Sequence, residues 1–435
     1  MWCAPLTTPA IPLRCAAEEP QVTAPLHPHT LAKPERGLFR LLGPAFVAAV
    51  AYVDPGNVAA NLSAGAKFGY LLVWVLVVAN VMAVLVQYLS AKLGLVTGRS
   101  LPELLGERMP TRGRIAFWLQ AQSIAIATDL AEVIGGALAL YILFDLPLLV
   151  GGFIVGGVSL AILTLQGRSQ MRFELVIMGF LLIITFGFVA GLFFSPLDWG
   201  GVTGGLVPRF AGTESVLLAA SMLGATVMPH AIYLHSSLSR DRHGVERDPV
   251  RLSRLLRATR WDVALALVVA GGVNIAMLLL AASSLPGVAG TDTIEGAAAA
   301  ISTYLGPAIG VIFAVGLLAS GLASSSVGAY AGSEIMRGLL HKRIPLIVSR
   351  LITLAPALVL LGFGVDPTWA LVLSQVVLSF GIPFAIIPLV WFTSRRELMG
   401  TFVNPAWLRV AGITAAALIV ALNVALLGLT VGGWA

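Results

Sequence analysis

The segment Ala51-Tyr52-Val53-Asp54-Pro55-Gly56-Asn57 lies inside a long apolar stretch that begins near Leu38. Proline has no N–H group, so it leaves a carbonyl of the preceding helical turn, near Ala51, without its usual donor. A carboxylate at membrane depth also costs free energy unless a partner or a bound ion compensates for the lost hydration. The segment therefore predicts a helix that is interrupted inside the membrane and offers hard oxygen ligands to a cation.

The composition around this segment is typical of a helical membrane protein. Of the 435 residues, 58% are hydrophobic and only 11% are charged. Apolar runs of about 18 residues or more recur along the chain, which is the length that a transmembrane helix needs. Leu71–Leu89 is apolar on consecutive residues, whereas transmembrane β-strands alternate with a period of two. We predict an all-α polytopic membrane protein.

Eleven membrane spans are predicted from these apolar segments, each long enough to cross a hydrocarbon core of about 30 Å. The fourth is the shortest. Their approximate bounds are Leu38–Leu62, Tyr70–Leu93, Ile115–Leu143, Leu148–Leu165, Phe173–Phe194, Val216–Leu238, Trp261–Leu285, Ala308–Ile335, Ile344–Phe363, Trp369–Phe392 and Leu408–Val431.

The first 37 residues differ from the rest of the chain in composition. They are rich in proline and lack the positively charged start and apolar core of a signal peptide. We predict a disordered tail at residues 1–37 and a transmembrane domain at residues 38–435. Cys3 and Cys15, the two cysteines of the chain, lie in this tail, where a disulfide is not expected if the tail is cytoplasmic.

The distribution of basic residues predicts the orientation of the chain, because cytoplasmic loops are enriched in Lys and Arg. With a cytoplasmic N-terminus, all but three of the 27 Lys and Arg residues fall in the tail or in cytoplasmic gaps. The exceptions are Lys67 and Arg209 outside, and Arg350 within the ninth span. An odd number of spans then places the C-terminus outside. Since the basic residues are spread over many loops, the pI near 9.6 does not indicate binding of nucleic acid.

A second proline interrupts the sixth span, at Met228-Pro229-His230. Its depth is similar to that of the first interruption, but the two spans enter the membrane from opposite sides. This arrangement predicts two inverted five-helix repeats, at residues 38–194 and 216–392, with an eleventh helix at 408–431. In secondary transporters, such paired interruptions hold the substrate site.

The two interruptions together offer a mixed set of metal ligands. Asp54 supplies a carboxylate, Asn57 an amide oxygen and Met228 a thioether, and carbonyl groups are freed near Ala51 and Ala225. Sulfur favours ions such as Mn(II), Fe(II), Co(II) or Cd(II) over Mg(II) and Ca(II). A membrane methionine taken alone more often serves packing, but Met228 adjoins a helix interruption.

Titratable residues in other spans indicate a route for protons. His230 and His235 follow the second interruption, and imidazole titrates near neutral pH. Asp129 and Glu132 share one face of the third span, and either could pair with the buried Arg350. A structural histidine and a structural salt bridge are the alternative interpretations. Acids, histidines and an arginine buried in one bundle are nevertheless typical of a proton relay.

Other polar or small residues at depth favour helix packing. The segment Gly321–Gly332 contains small residues that let helices approach closely, with hydroxyl groups facing a vestibule as the alternative. Asn274 and Gln375 are expected to form hydrogen bonds within the bundle, and contact with the metal is the alternative for both.

Three of these motifs resemble the Nramp divalent metal transporters, whose bacterial members are proton-coupled manganese importers. The resemblance extends from about Leu38 to Leu427. The motifs that carry it are Asp54-Pro55-Gly56-Asn57, Met228-Pro229-His230 and Gly321–Gly332. It implies a LeuT-type fold, with ten helices in two inverted repeats plus one, in the bacterial inner membrane.

The resemblance also implies roles for individual residues. The metal would be bound by Asp54, Asn57, Met228 and the carbonyl of Ala51, with Ala225 joining as the helix rearranges. Gln375 and Asn274 would assist in some conformations. The positions linked to proton movement are matched by Asp54, His230, Asp129, Glu132 and Arg350. Two residues depart from the family pattern: Ala231, which should matter little to ligation, and Ser349, which makes the inner end of the proton route an open question.

The sequence therefore predicts proton-coupled import of Mn(II) and Fe(II) by alternating access, with metal ions, protons and the lipid bilayer as its partners and no cofactor. A sodium-coupled amino-acid symporter of the same fold is the main alternative, although it would need an open helix N-terminus for the substrate carboxylate. A channel has no evident use for paired helix interruptions. An enzyme is not expected, because no nucleophile and base pair is evident.

Overall fold

The computed structural model describes residues 43–168, 170–288, 290–291, 293–341 and 346–431. Within these ranges the regular secondary structure is helical throughout, with short 3-10 segments between some of the α-helices. The predicted tail, including Cys3 and Cys15, lies outside the described residues, as does the side chain of Ser349.

The first half of the chain forms eight α-helices. They are α1 (Pro44–Val50), α2 (Pro55–Phe68), α3 (Val73–Thr97), α4 (Leu101–Arg108), α5 (Thr111–Phe144), α6 (Leu148–Arg168), α7 (Gln170–Val189) and α8 (Trp199–Gly204).

The second half continues with nine more. They are α9 (Gly212–Thr226), α10 (Pro229–His243), α11 (Pro249–Ser284), α12 (Ile294–Leu305), α13 (Pro307–Leu340), α14 (Leu346–Gly362), α15 (Pro367–Thr393), α16 (Arg396–Met399) and α17 (Ala406–Val431).

Eight helical stretches of the described chain are long and apolar enough to cross a membrane. They are Pro55–Thr97, Thr111–Phe144, Gln170–Phe194, Gly212–His243, Pro249–Ser284, Pro307–Leu340, Pro367–Thr393 and Ala406–Leu429. Three shorter apolar helices accompany them, at Pro44–Val53, Leu148–Thr164 and Arg350–Gly362. The prediction of a polytopic helical membrane protein is confirmed, and the count of eleven crossings stays a prediction.

Both predicted helix interruptions are present. After α1, a 3-10 turn over Ala51–Val53 leads to Asp54 in an extended conformation (φ −74°, ψ 169°), and α2 begins at Pro55. Likewise, α9 ends at Thr226 and Met228 is extended (φ −69°, ψ 123°) before α10 begins at Pro229. In each case proline is the first helical residue, where its missing N–H and fixed φ are compatible with a new helix.

The helix that contains the predicted seventh span begins before that span. The span is predicted from Trp261, and α11 begins at Pro249, because Asp248 accepts a hydrogen bond from the Val250 amide (3.0 Å) and Pro249 occupies the first helical position. An apolar scan detects only the membrane-embedded part of a helix. Much of the arginine-rich segment between the predicted sixth and seventh spans is therefore helical. Its side chains follow the 3.6-residue period of an α-helix.

A helix outside the predicted spans is also present. α12 follows Thr293, whose hydroxyl caps the helix by accepting a hydrogen bond from the Gly296 amide (3.0 Å). Its twelve residues are too few to cross a membrane, so apolar length alone did not indicate it.

Glycine lets other helices pack directly on the first interruption. A Cβ atom on Gly135 of α5 would lie 2.0 Å from the Cβ of Pro55, and one on Gly56 would lie 1.8 Å from the Gln375 side-chain nitrogen of α15. Gly321 of α13 is similarly close to the backbone of α5, at Gly136. Small residues at helix contacts allow this close approach, so α5 and α15 hold the interruption from two directions.

We predict that Gly135→Ala destabilises the protein, because the new methyl group would overlap Pro55. Overpacking of this kind costs about 1–3 kcal/mol. The melting temperature of the purified protein should fall. Gly179→Ala on α7 is the matched control, since nothing lies within 4 Å of its Cβ position; an equal effect of both substitutions would contradict the predicted contact.

Candidate functional site

Asp54 caps the helix that follows the first interruption. Its Oδ1 accepts hydrogen bonds from the backbone amide of Asn57 (2.7 Å) and from Asn57 Nδ2 (2.8 Å). An N-terminal carboxylate is also favoured by the helix dipole. Oδ2 of Asp54 is buried and accepts no hydrogen bond from the described residues, so half of this carboxylate is available to a ligand.

Asn57 joins the two interruptions. Its Nδ2 donates to Asp54 and also to the carbonyl oxygen of Ala225 (3.0 Å), on the helix before the second interruption. That carbonyl lacks its helical donor because Pro229, four residues on, has no N–H. With both amide hydrogens used, Asn57 Oδ1 remains buried without a donor among the described residues.

Met228 occupies the position in the second interruption that Asp54 occupies in the first. Both residues are fully buried and extended, and both precede the proline that starts the next helix. The flanking sequence repeats as well: Ala51-Tyr52-Val53-Asp54-Pro55 and Ala225-Thr226-Val227-Met228-Pro229 share Ala, Val and Pro at the same offsets. This repeat is visible in the sequence, but the prediction of paired interruptions rests on the prolines alone.

Gln375 of α15 lies against both interrupted helices. Its side chain covers the backbone of Gly56, and its carbonyl oxygen would be 2.0 Å from a Cβ on Gly224. Nε2 donates to Ser374 Oγ (3.3 Å), and Oε1 is buried with no hydrogen-bond partner in the described chain. A third amide or carboxylate oxygen without a donor is therefore placed beside the interruption.

Other carbonyls at the first interruption are satisfied. Asn274 Nδ2 donates to the Tyr52 carbonyl (2.7 Å), and Asn61 Nδ2 donates to Asn274 Oδ1 (2.9 Å). Ser320 Oγ donates to the Val53 carbonyl (2.6 Å). The prediction that Asn274 bonds within the bundle is confirmed. Asn61 and Ser320 were missed, and their only sequence signal was a polar residue at depth.

Arg350 forms its ion pair with Asp129, one of the two partners predicted from the sequence. The guanidinium also donates to the hydroxyls of Ser159 and Ser325, and Ser325 donates to Asp129 Oδ1 (3.2 Å). Both charged residues are buried, with 2% and 4% exposure. The hydroxyls replace part of the lost hydration, which a buried ion pair requires.

Glu132 is buried next to this ion pair without sharing it. Both of its carboxyl oxygens lack hydrogen-bond partners among the described residues. A Cβ atom on Gly328 of α13 would lie 3.0 Å from Oε2, so glycine makes room for the side chain. Glu132 thus lies one turn from Asp129 on α5 but takes no part in the ion pair of Asp129 with Arg350.

The two histidines have different surroundings. Nδ1 of His230 is 3.3 Å from Thr128 Oγ1, next to Asp129 on α5, whereas Nδ1 of His235 is 2.7 Å from Gln87 Oε1. Gln87 also donates to the hydroxyl of Tyr52. His230 thus contacts the residue before Asp129 on α5, whereas His235 belongs to a separate series of hydrogen bonds, through Gln87 to Tyr52, that the sequence did not indicate.

The arrangement combines an interrupted helix pair, three unpaired oxygens and a buried thioether with a separate buried cluster of acids. A family profile described as natural resistance-associated macrophage protein-like, Nramp, matches residues 45–429. The chain belongs to the Nramp family. The predicted resemblance is thereby confirmed, and this Nramp chain is a multi-pass membrane protein of a family of transporters rather than enzymes.

Named relatives agree with this assignment. The Nramp chain is 62% identical over 394 residues to the divalent metal cation transporter MntH of Mycobacterium tuberculosis, covering 90% of this chain and 92% of the relative. It is 48% identical over 394 residues to MntH of Bacillus subtilis, with the same coverages of 90% and 92%.

Solved structures confirm the fold class. A crystal structure of the manganese transporter of Eremococcus coleocola is similar with a TM-score of 0.81 at 30% identity, covering 91% of this chain and 88% of that one. MhsT in complex with L-phenylalanine has a TM-score of 0.59 at 15% identity, covering 87% and 98%. The latter shows only that the Nramp chain shares the LeuT-type fold.

We predict that Arg350→Met lowers the melting temperature of the Nramp chain markedly. Removing one partner of a buried ion pair leaves the other charge uncompensated, at a cost of about 3–5 kcal/mol. Adding Asp129→Asn to Arg350→Met should restore most of the loss. Arg251→Met, at an exposed position of α11, is the control. A double variant that melts no higher than Arg350→Met would show that Asp129 is not the relevant partner.

Proposed function

We propose that this Nramp chain imports divalent transition metal ions, Mn(II) and Fe(II), across the bacterial inner membrane together with protons. One observation carries the proposal: Asp54 Oδ2, Asn57 Oδ1 and Gln375 Oε1 are buried acceptors without donors in the described chain. Each such atom costs about 1–3 kcal/mol if it stays unpaired. A dehydrated cation would satisfy all three.

The ligand set would be the one expected from the sequence. Asp54 provides the charge, Asn57 Oδ1 a neutral oxygen and Met228 the sulfur. The Ala51 carbonyl and Gln375 Oε1 are further oxygen ligands. Asn57 Nδ2 donates to the Ala225 carbonyl, and release of this hydrogen bond would make that oxygen more available to the metal. Sulfur in an otherwise oxygen-rich site favours transition metals over Ca(II) and Mg(II).

Alternating access is supported by the way the two halves are joined. The two helices at each interruption could change their relative tilt, because Pro55 and Pro229 have no N–H to continue the hydrogen-bond series of the preceding helix. The Asn57–Ala225 hydrogen bond is a direct link between the interruptions. Its exchange for metal coordination would couple cargo binding to the relative position of the halves. The bias of basic residues supports a cytoplasmic N-terminus and an external C-terminus.

Protons would use the acids behind the metal site. A bound cation stabilises the ionised form of a coordinating carboxylate, so Asp54 releases a proton when the metal binds. Glu132 has two unpaired oxygens that can accept it, and His230 is near α5 through Thr128. The nearby ion pair of Asp129 and Arg350 would then determine the local electrostatic potential at Glu132. His235 would act through Gln87 and Tyr52 on the first interruption itself.

An amino-acid symporter is less compatible with this geometry. Such a transporter would bind the substrate carboxylate at an open helix N-terminus. At α2 that position is already occupied by Asp54, which accepts the Asn57 amide hydrogen bond. A second carboxylate there would meet like charge.

Asp54→Asn should abolish proton-driven Mn(II) uptake, because it removes the only charged ligand while keeping the shape of the side chain. Substitution of a residue that only orients a metal ligand weakens metal binding about 10–100-fold. Loss of the ligand itself should weaken binding by at least that factor. The assay is Mn(II) uptake into proteoliposomes with an inward proton gradient. Asp145→Asn, at an exposed position where φ is +56°, is the control because asparagine tolerates this conformation. Normal uptake by Asp54→Asn would refute the mechanism, and wild-type uptake that ignores the proton gradient would refute coupling.

Met228→Ala should reduce selectivity more than it reduces transport. Without sulfur the remaining ligands are oxygens, so Ca(II) and Mg(II) should compete with Mn(II) about tenfold more effectively. Met222→Ala provides the control, because Met222 is also fully buried but lies within α9 rather than at the interruption. Unchanged competition in Met228→Ala would exclude the thioether as a ligand.

A further inference from the structure

A cavity remote from the metal candidates is lined by basic residues of α3 and α11. Its volume is about 320 Å³, within the range of about 300–1,000 Å³ that small-molecule sites occupy. It lies on the side of the membrane predicted to be cytoplasmic. The lining comprises Tyr88, Lys92, Ser253, Leu256, Arg257, Arg260, Phe402 and Val403. Three cations and no acid are thus found among its described lining residues.

Helix geometry brings these cations to one place. Tyr88 and Lys92 are one turn apart on α3, and Arg257 and Arg260 are three residues apart on α11, so each pair shares a helix face. The Arg260 guanidinium lies 5.2 Å from the centre of the Tyr88 ring, and Nη2 donates to the Tyr88 hydroxyl (3.3 Å). The tyrosine therefore fixes the position of one positive charge.

Lys92 is the residue whose environment calls for an anion. Its side chain is buried, with 4% exposure, and its Nζ donates to the neutral Oδ1 of Asn404 (2.8 Å). No carboxylate of the described chain forms an ion pair with it, and the other charged residues that line the cavity, Arg257 and Arg260, are also cations. Burying an ammonium group beside a like charge is costly unless a counter-ion compensates.

The neutral partner of Lys92 is itself held in place. Asn404 donates from its backbone amide to the Thr393 carbonyl (3.1 Å) and from Nδ2 to Thr393 Oγ1 (2.8 Å). These bonds orient Oδ1 towards Lys92 and leave the remaining ammonium hydrogens for another acceptor. The site is therefore built from ordered groups rather than from mobile surface lysines.

We propose that this cavity binds a phosphate-bearing anion, held by Lys92, Arg257 and Arg260. Phosphate oxygens match the geometry of guanidinium and ammonium donors. Basic pockets between membrane helices on the cytoplasmic side suit the headgroups of acidic phospholipids. Leu256, Phe402 and Val403 give the cavity an apolar side that suits the glycerol region of a lipid, whereas a soluble phosphate would use only the basic side.

The test measures the melting temperature of the purified full-length protein, delipidated in detergent, at constant ionic strength. Three probes are titrated: dioctanoyl phosphatidylglycerol, zwitterionic dioctanoyl phosphatidylcholine and inorganic phosphate. We expect phosphatidylglycerol to raise the melting temperature at concentrations at which phosphatidylcholine has no effect. Stabilisation by inorganic phosphate at comparable concentration would also support the site, with a soluble anion as its ligand.

Variants assign the effect to the cavity. Lys92→Met and Arg257→Gln should each weaken the apparent affinity for the stabilising probe about tenfold or more, as expected for the loss of a charge-assisted hydrogen bond. Arg257 is exposed, so its substitution should not affect folding. Arg251→Gln, on the same helix but outside the cavity lining, should retain wild-type affinity. The proposal is overturned if neither anion stabilises the wild type, or if Arg251→Gln and Arg257→Gln weaken binding equally.

Discussion

The absence of two backbone N–H groups, at Pro55 and Pro229, is the constraint on which the rest of this structure depends. Each proline ends a helical hydrogen-bond series inside the membrane, where no lipid group can replace the missing donor. The protein must therefore supply partners from its own side chains. It does so at the Ala225 carbonyl through Asn57. In the first interruption, Asn274 donates to the carbonyl of Tyr52, next to the Ala51 carbonyl that Pro55 leaves without a donor. The interruptions persist because the bundle stabilises them.

Polar groups around the interruptions fall into two classes. Asn274 and Ser320 donate hydrogen bonds to the Tyr52 and Val53 carbonyls and so hold the backbone of the first interruption. One oxygen each of Asp54, Asn57 and Gln375 has no donor among the described residues, although these side chains are fully buried. Electrostatic interactions are strong in a low-dielectric interior. A buried acceptor without a donor therefore interacts strongly with a cation that takes the place of the donor. Under the proposed function, stability and metal binding thus depend on different residues.

The acids of α5 show the same division of roles. Asp129 is neutralised by Arg350 and surrounded by hydroxyl groups, whereas Glu132, one turn away, has space against Gly328 but no donor. Asp129 is therefore committed to the ion pair with Arg350, whereas Glu132 has no partner among the described residues. The proposed proton transfer would use the acid that has no partner. Gly328 of α13 provides space for the Glu132 side chain and not a hydrogen-bond donor.

The sequence by itself determined the helical membrane fold, the position of both interruptions and the residue types that could bind a metal, because proline, buried charge and apolar length act locally. It did not determine which acid pairs with Arg350, since Asp129 and Glu132 share one helix face. Nor did it indicate that Asn57 would bond Ala225, or that Lys92 and Arg260 would line one cavity. These contacts join residues far apart in the chain. Side-chain partners across a bundle depend on how closely the backbones approach each other. This distance is set by the packing of helices at glycine positions such as Gly135 and Gly56, which only the tertiary structure shows.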